Sequence, residues 1–317
     1  MMIRKSILFL CLLFSLTILA QQKTIVFSPQ WNPNAQFAGY IAARELGYYG
    51  DEGLNVTFRY PEANKSSLDL LREGKADLVT NTLTFAIVSK VNEGLDLVNV
   101  LQTSQHTALC LALKRPKDKL DIGSLHGLRV GVWYNRVSIA VEAMNYDHHL
   151  NWTIVPFRRG FKLLSYGVLD AITVMEYNEL LRLKYNGYDV SDHSVLRLCE
   201  HGYDIPEDGV YCMNDYYQQN ADEVKAFVRA TKKGWEWCRK HPEEATKYVL
   251  QEMRNEHVDN SEVIQRAGLK VILKKQEQTP DKASYSLGSG QFNQAVKILK
   301  TAGLINTNPD YKTFIAR

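Results

Sequence analysis

Short apolar, β-branched runs alternate with longer stretches whose apolar positions recur at helical spacing through most of the chain. The first unit is the clearest. KTIVF at 23–27 reads as a strand, the polar, Pro-containing segment from Trp31 as a turn, the stretch after it as an apolar-periodic helix, and NVTFRY at 55–60 as a second strand. That is a βαβ unit, and the same grammar repeats. A helix at about 66–75 turns Leu68, Leu70 and Leu71 toward a core, and ADLVTNT at 76–82 follows as a strand. Next come a helix with Phe85, Ile87 and Val88 and strands at 97–101 and 108–113. After the polar, Pro-containing link 115–121 a second series begins: LRVGVW at 128–133, a helix from about Ser138, WTIVPF at 152–157, and a helix with Phe161, Leu163 and Leu164. LDAITVMEYNE at 169–179 passes from strand to helix start, and a strand from Val195 leads through a loop to GVYCM at 209–213. The rest is helical: 221–240 with Val224, Phe227, Val228 and Trp235, then a helix opened by Pro242. Beyond about residue 255 the pattern is mixed, with a flexible turn at 287–290 and a last helix near 292–302.

Two such series in 317 residues predict an α/β protein of two doubly wound lobes. Residues 21–114 and 212–317 would form the first lobe and 115–211 the second, with hinges near 115–121 and 198–209. Open α/β sheets bind ligands beyond the carboxyl ends of their strands, so the polar residues there are the candidates. In the first lobe they are Trp31, Asn32 and Asn34 after the first strand, and Thr80, Asn81 and Thr82 at the end of another. Glu176, Tyr177 and Asn178 follow the mostly apolar run 171–175 in the second. A tryptophan and a tyrosine can stack on a flat ring, while a carboxylate and amides can bond its polar edge, a set suited to an aminopyrimidine. Glu176 is equally a residue type favoured at a helix start by the macrodipole. The turn Tyr134-Asn135-Arg136 before Ser138 offers a helix start for an anion, or simply a solvated arginine.

Residues 1–20 have the form of a secretory signal: Arg4 and Lys5, a mostly apolar run at 7–19, and Ala20 before a cut near Gln21. That run is too short to span a bilayer, which takes about 20 residues. Without Arg4 and Lys5 the formal charge falls from +3 to +1, which gives no reason to expect nucleic acid. Cys110, Cys199, Cys212 and Cys238 would remain, with no metal spacing; an export route permits disulfides, and Cys199 and Cys212 flank one loop. No nucleophile-elbow, zincin or Walker pattern occurs, and His148 and His149 point about 100° apart on a helix. Glu142 and Glu179 read as surface carboxylates. No metal or cofactor is expected.

The run W-x-P-x-x-x-x-x-G-Y-I-A-x-x-x-x-G-Y-Y-x-x-E-G-L-x-V, from Trp31 to Val56, resembles the periplasmic substrate-binding proteins related to the sulfonate carriers. That group includes carriers of thiamine pyrimidine precursors and the fungal thiamine pyrimidine synthase, and the likeness runs from about Lys23 to Tyr248. The resemblance implies a periplasmic-binding-protein-like fold (type II), lobe closure on a small ligand, and docking to ABC permease subunits, the only link to a membrane. It implies a periplasmic or extracellular location and puts Glu176 where the synthase has an acidic pocket residue. It also implies an absence of synthase chemistry. Asn81 stands where the synthase has its pyridoxal-phosphate lysine, Phe85 where it has the consumed histidine, and Tyr203 to Glu207 where it has a cysteine run. Phe37 likewise replaces a histidine of the first turn. An amide forms no Schiff base and a phenyl ring donates no nitrogen. An aromatic heterocycle such as a thiamine pyrimidine precursor is the expected ligand. A sulfonate or other anion is the alternative and would need Arg136, Arg158 or Arg159 in the cleft. A pyrimidine synthase or a sensor lobe that transports nothing would be the other outcomes.

Overall fold

A computed structural model of the chain describes residues 22–316 apart from 63, 135–136, 159–161, 260 and 280–281. The expected signal at 1–20, with Cys11, and the side chains of Arg136, Arg159 and Phe161 lie outside the described residues.

Ten strands build two sheets. They are β1 Lys23–Ser28, β2 Leu54–Phe58, β3 Leu78–Asn81, β4 Leu97–Gln102, β5 Leu109–Leu113, β6 Arg129–Trp133, β7 Thr153–Phe157, β8 Ala171–Met175, β9 Val195–Arg197 and β10 Gly209–Met213. The first sheet runs β2-β1-β3-β10-β4 and the second β7-β6-β8-β5-β9. In the first, β10 lies antiparallel to β3 and β4; in the second, β5 lies antiparallel to β8 and β9. The other pairings are parallel. In each sheet, then, the strand arriving from the other lobe runs against its neighbours. Helices cover the faces, as buried parallel strands require.

The outward crossing falls earlier than the sequence pattern suggested. β5 was expected in the first lobe, but it pairs along its length in the second sheet, so the outward crossing is 103–108 and not 115–121. Its all-apolar run LCLAL fits either buried sheet, and pairing partners decide which. The return crossing, 201–208, lies inside the expected 198–209, and β10 joins the first sheet from Gly209 onward.

The first core forms where the helix Ala38–Glu45 crosses the helix Ala221–Lys240. A Cβ on Gly234 would sit 2.1 Å from the carbonyl oxygen of Gly39, and one on Gly39 would sit 2.1 Å from the Trp235 ring. Only glycine permits that approach. Tyr40 stacks on Phe27 of β1 at 4.7 Å, which locks the helix over the strand and holds the intervening turn. The mixed region after residue 255 contains a further long helix, Glu262–Lys275, which turns Ile264, Leu269 and Ile272 inward. Among the described residues no helix is long and apolar enough to cross a membrane.

Candidate ligand-binding cleft

The turn after β1 is built by its own polar groups. Gln30 N–H donates to Thr80 Oγ1 of β3 at 2.9 Å, which ties the turn to the neighbouring strand tip. Asn34 Oδ1 accepts from the Gln36 N–H at 2.8 Å and caps the short 3-10 helix Ala35–Phe37. The next residue's N–H, that of Ala35, donates to Gln265 Oε1 of the helix Glu262–Lys275 at 2.8 Å. Trp31, half-buried and 6.4 Å from the Phe37 ring, is thereby held between the lobes.

Two hollows meet at this residue. One, of about 260 Å³, is bounded by Trp31 and Asn32 from the first lobe, Tyr177, Asn178 and Glu179 from the second, and Met253 and Gln265 from the C-terminal helices. The other, of about 490 Å³, lies on the far side of Trp31, Asn32 and Val137 and is bounded by Asn81, Phe85, Tyr134 and Arg158. Six of the nine strand-tip candidates, Trp31, Asn32, Asn34, Asn81, Tyr177 and Asn178, line these two hollows, while the hydroxyl oxygens of Thr80 and Thr82 accept from the Gln30 and Phe85 N–H groups.

Their freedom to bind differs. Tyr177 is 4% exposed and its phenolic oxygen has no hydrogen-bond partner among the described residues, so it is available as a donor or acceptor. Burial raises its pKa well above the usual tyrosine value, which keeps the proton on it. Asn178 is engaged at both ends: its Nδ2 donates to Glu179 Oε1 at 2.8 Å and its Oδ1 accepts from Arg182 Nε at 2.9 Å. Asn81 is engaged too, donating to Ser67 Oγ at 3.0 Å and accepting from the Thr82 N–H at 2.8 Å. Each amide keeps one N–H and one lone pair for a guest. Asn32 holds the turn through its backbone carbonyl, leaving its side chain at the cleft.

Glu176 is the exception. Its N–H continues the ladder to Ala108 O at 2.9 Å, so side-chain alternation persists past β8: Met175 and Tyr177 face the cleft and Glu176 faces the opposite hollow. There its Oε1 accepts from Lys275 Nζ at 2.8 Å and from the Cys110 thiol at 3.7 Å. It is a structural ion-pair partner between the second sheet and the C-terminal helix. Glu179, expected at the surface, lines the cleft, as does Asp259. Glu179 accepts from the Met175 N–H at 3.1 Å, and burial raises its pKa. Cys199 and Cys212 are not paired: Cys212 is buried in β10 while Cys199 lies 3.8 Å from Lys275 Nζ, and the four described cysteines are all free. Gln265, Met253 and Arg182 were missed because they reach the cleft from helices outside the two strand-tip turns. No group of His, Cys, Asp and Glu suited to a metal occurs among the described residues.

Two lobes meeting over a cleft between their strand tips define the periplasmic-binding-protein fold. The structure is similar to the periplasmic aliphatic sulphonate binding protein SsuA of Escherichia coli, with a TM-score of 0.65 and 13% identity over 93% of this chain and 92% of that one. The chain belongs to the NMT1/THI5-like family, whose pattern matches residues 34–245. It is 26% identical to the formylaminopyrimidine-binding protein of Halalkalibacterium halodurans, over 80% of this chain and 78% of the relative. It is also 26% identical to the riboflavin-binding protein RibY of Chloroflexus aurantiacus, over 92% and 83%. The 4-amino-5-hydroxymethyl-2-methylpyrimidine phosphate synthase of Candida albicans is 26% identical over 70% of this chain and 69% of the relative.

Proposed function

We propose that this protein is the solute-binding component of an importer, exported by its leader, which closes two lobes on a flat nitrogen heterocycle and hands it unchanged to a permease. The observation that carries this reading is the pairing of Trp31 from one lobe with the unpartnered Tyr177 hydroxyl from the other across one hollow. A ring laid on the indole would present its edge to Tyr177, Asn32 and Asn178, whose spare donors and acceptors suit ring nitrogens and an exocyclic amine. The relatives that bind formylaminopyrimidine and riboflavin support a heterocycle, since both carry such an edge. Catalysis of the synthase kind is disfavoured by Asn81: it stands where the resemblance expects the cofactor lysine, and its amide is committed to Ser67 and Thr82. A second reading, a small anion, is favoured by one feature. Arg158 bounds the second recess with its guanidinium 4.7 Å over the Tyr134 ring.

A thermal-shift series tests these readings. Aminopyrimidines or riboflavin at 100 times their Kd should stabilise the protein by about 2.7 kcal/mol. Trp31→Ala should remove most of that shift, and Arg158→Ala should leave it. A shift produced by alkanesulfonates alone and lost in Arg158→Ala would replace the heterocycle with an anion. A Schiff-base absorbance on adding pyridoxal phosphate would overturn the non-enzyme reading.

A further inference from the structure

Two acidic side chains close the return crossing at the junction of the lobes. Glu207 and Asp208 are 7% and 6% exposed, and neither is hydrogen-bonded to a cation among the described residues. Glu207 accepts from the Thr107 hydroxyl and, at 3.0 Å, from the Ala108 N–H, both in the outward crossing. Asp208 Oδ1 accepts from Nε2 of Gln30 at 3.0 Å and from Nε2 of Gln36. The Asp208 backbone carbonyl accepts from the Thr103 N–H at 3.2 Å and from the Thr103 hydroxyl at 2.7 Å. One residue thus joins both crossings to the turn that carries Trp31.

The surroundings suit a proton as well as a charge. The amide oxygens of Gln30 and Gln36 are buried without partners among the described residues. A half-turn of either amide brings its oxygen against the Asp208 carboxyl, so a proton there has an acceptor within reach. Asp208 also holds a left-handed backbone, φ +52°, a conformation that its contacts to three segments must maintain. The titratable groups facing the pair are Tyr40 from the helix Ala38–Glu45, Tyr177 after β8, Tyr211 of β10, and Lys275. Burial keeps the three phenols neutral, and Lys275 is already bonded to Glu176. His106 and Asp204 bond each other at 2.6 Å nearer the surface.

We propose that Glu207 and Asp208 form a proton-operated latch: protonated, they keep both crossings and the Trp31 turn packed together; ionised, they repel each other, draw in water and loosen the junction. The latch regulates the cleft described above and rests on lobe closure, not on the identity of the ligand. Burial, then the charge of Asp208, pushes Glu207 up to about 8, and burial pushes Asp208 up to about 7. Both values lie above the ~4 of an unfolded carboxyl, so the packed junction binds the extra protons. Its stabilisation is therefore full below about pH 4 and is lost as pH rises through 7 and 8.

Amide hydrogen exchange of the ligand-free full chain at about pH 5.5 and about pH 9 tests this, after correction for intrinsic exchange. In the wild type, protection at 103–108 and 201–208 should fall at least tenfold between the two conditions. The double variant Glu207→Gln/Asp208→Asn keeps shape and bonding capacity and should show no such fall. Equal pH dependence in both proteins would overturn the latch. Should the variant fail to fold, carboxyl-carbon NMR of the wild type decides. Two carboxyls titrating near 7 to 8 support the latch, and all titrating near 4 to 5 overturn it. No ligand enters the experiment, so its failure leaves the heterocycle reading standing, and an empty ligand screen leaves the latch standing.

Discussion

Replacing Glu176 by alanine separates the two roles open to a carboxylate at the end of β8. Its oxygen lies 2.8 Å from Lys275 Nζ, with the two side chains 16% and 15% exposed. Unit charges at that distance attract by about 6 kcal/mol at an effective dielectric of about 20, and desolvation cancels much of it. Removing one partner of a buried pair costs about 3–5 kcal/mol, and the residual exposure here places Glu176→Ala near 3. For a chain of this size that lowers the unfolding midpoint by about 4–5 °C. Lys275→Ala should cost a similar amount. The double variant should lose less than the sum, with a coupling of about 2 kcal/mol, because no buried charge is left unpaired. Thermal unfolding of the three variants, with and without an aminopyrimidine, gives both answers. The midpoint falls but the ligand-induced shift survives in Glu176→Ala. Wild-type stability combined with loss of the ligand response would refute the structural role and return Glu176 to the binding site.

Tyr177→Phe removes a hydroxyl that has no partner among the described residues, so stability should stay within about 1 kcal/mol while affinity for a heterocycle drops about tenfold; titration calorimetry reads both the loss and its enthalpy. Gly268→Ala would place a methyl group 2.4 Å from the Tyr177 carbonyl oxygen, across the contact between the C-terminal helix and the second lobe. That variant should bind ligand at least tenfold more weakly, by an estimate of about 1–3 kcal/mol for an overpacked contact, and small-angle scattering should show an enlarged radius of gyration. Unchanged dimensions and affinity would mean that the helix does not hold the lobes together.

Much of the scaffold was legible because it follows from local physics. Apolar runs such as AITVM of β8, buried at every position, must lie between two covered faces, and the spacing of Val224, Phe227 and Trp235 commits one face of a helix to the core. The Trp31 turn was legible for the same reason: a tryptophan and asparagines after a β-branched run stand at a strand tip, where an α/β sheet leaves room. The helix Glu262–Lys275 was not. Gln265 and Gly268 interrupt its apolar stripe, and each is there for a distant partner, one for the Ala35 N–H and the other for the Tyr177 carbonyl.

The chain's own pattern thus determined two lobes of alternating strands and helices, and the turns that edge the cleft. Tertiary structure decided which sheet takes β5, which side of the β8 tip each side chain faces, and that two acids share the junction. The reason is range. Periodicity reports whether a residue is buried, whereas pairing register and long-range partners decide against what, and Glu176 and Tyr177, adjacent in sequence, end up in different hollows because one step along an extended chain reverses the side chain.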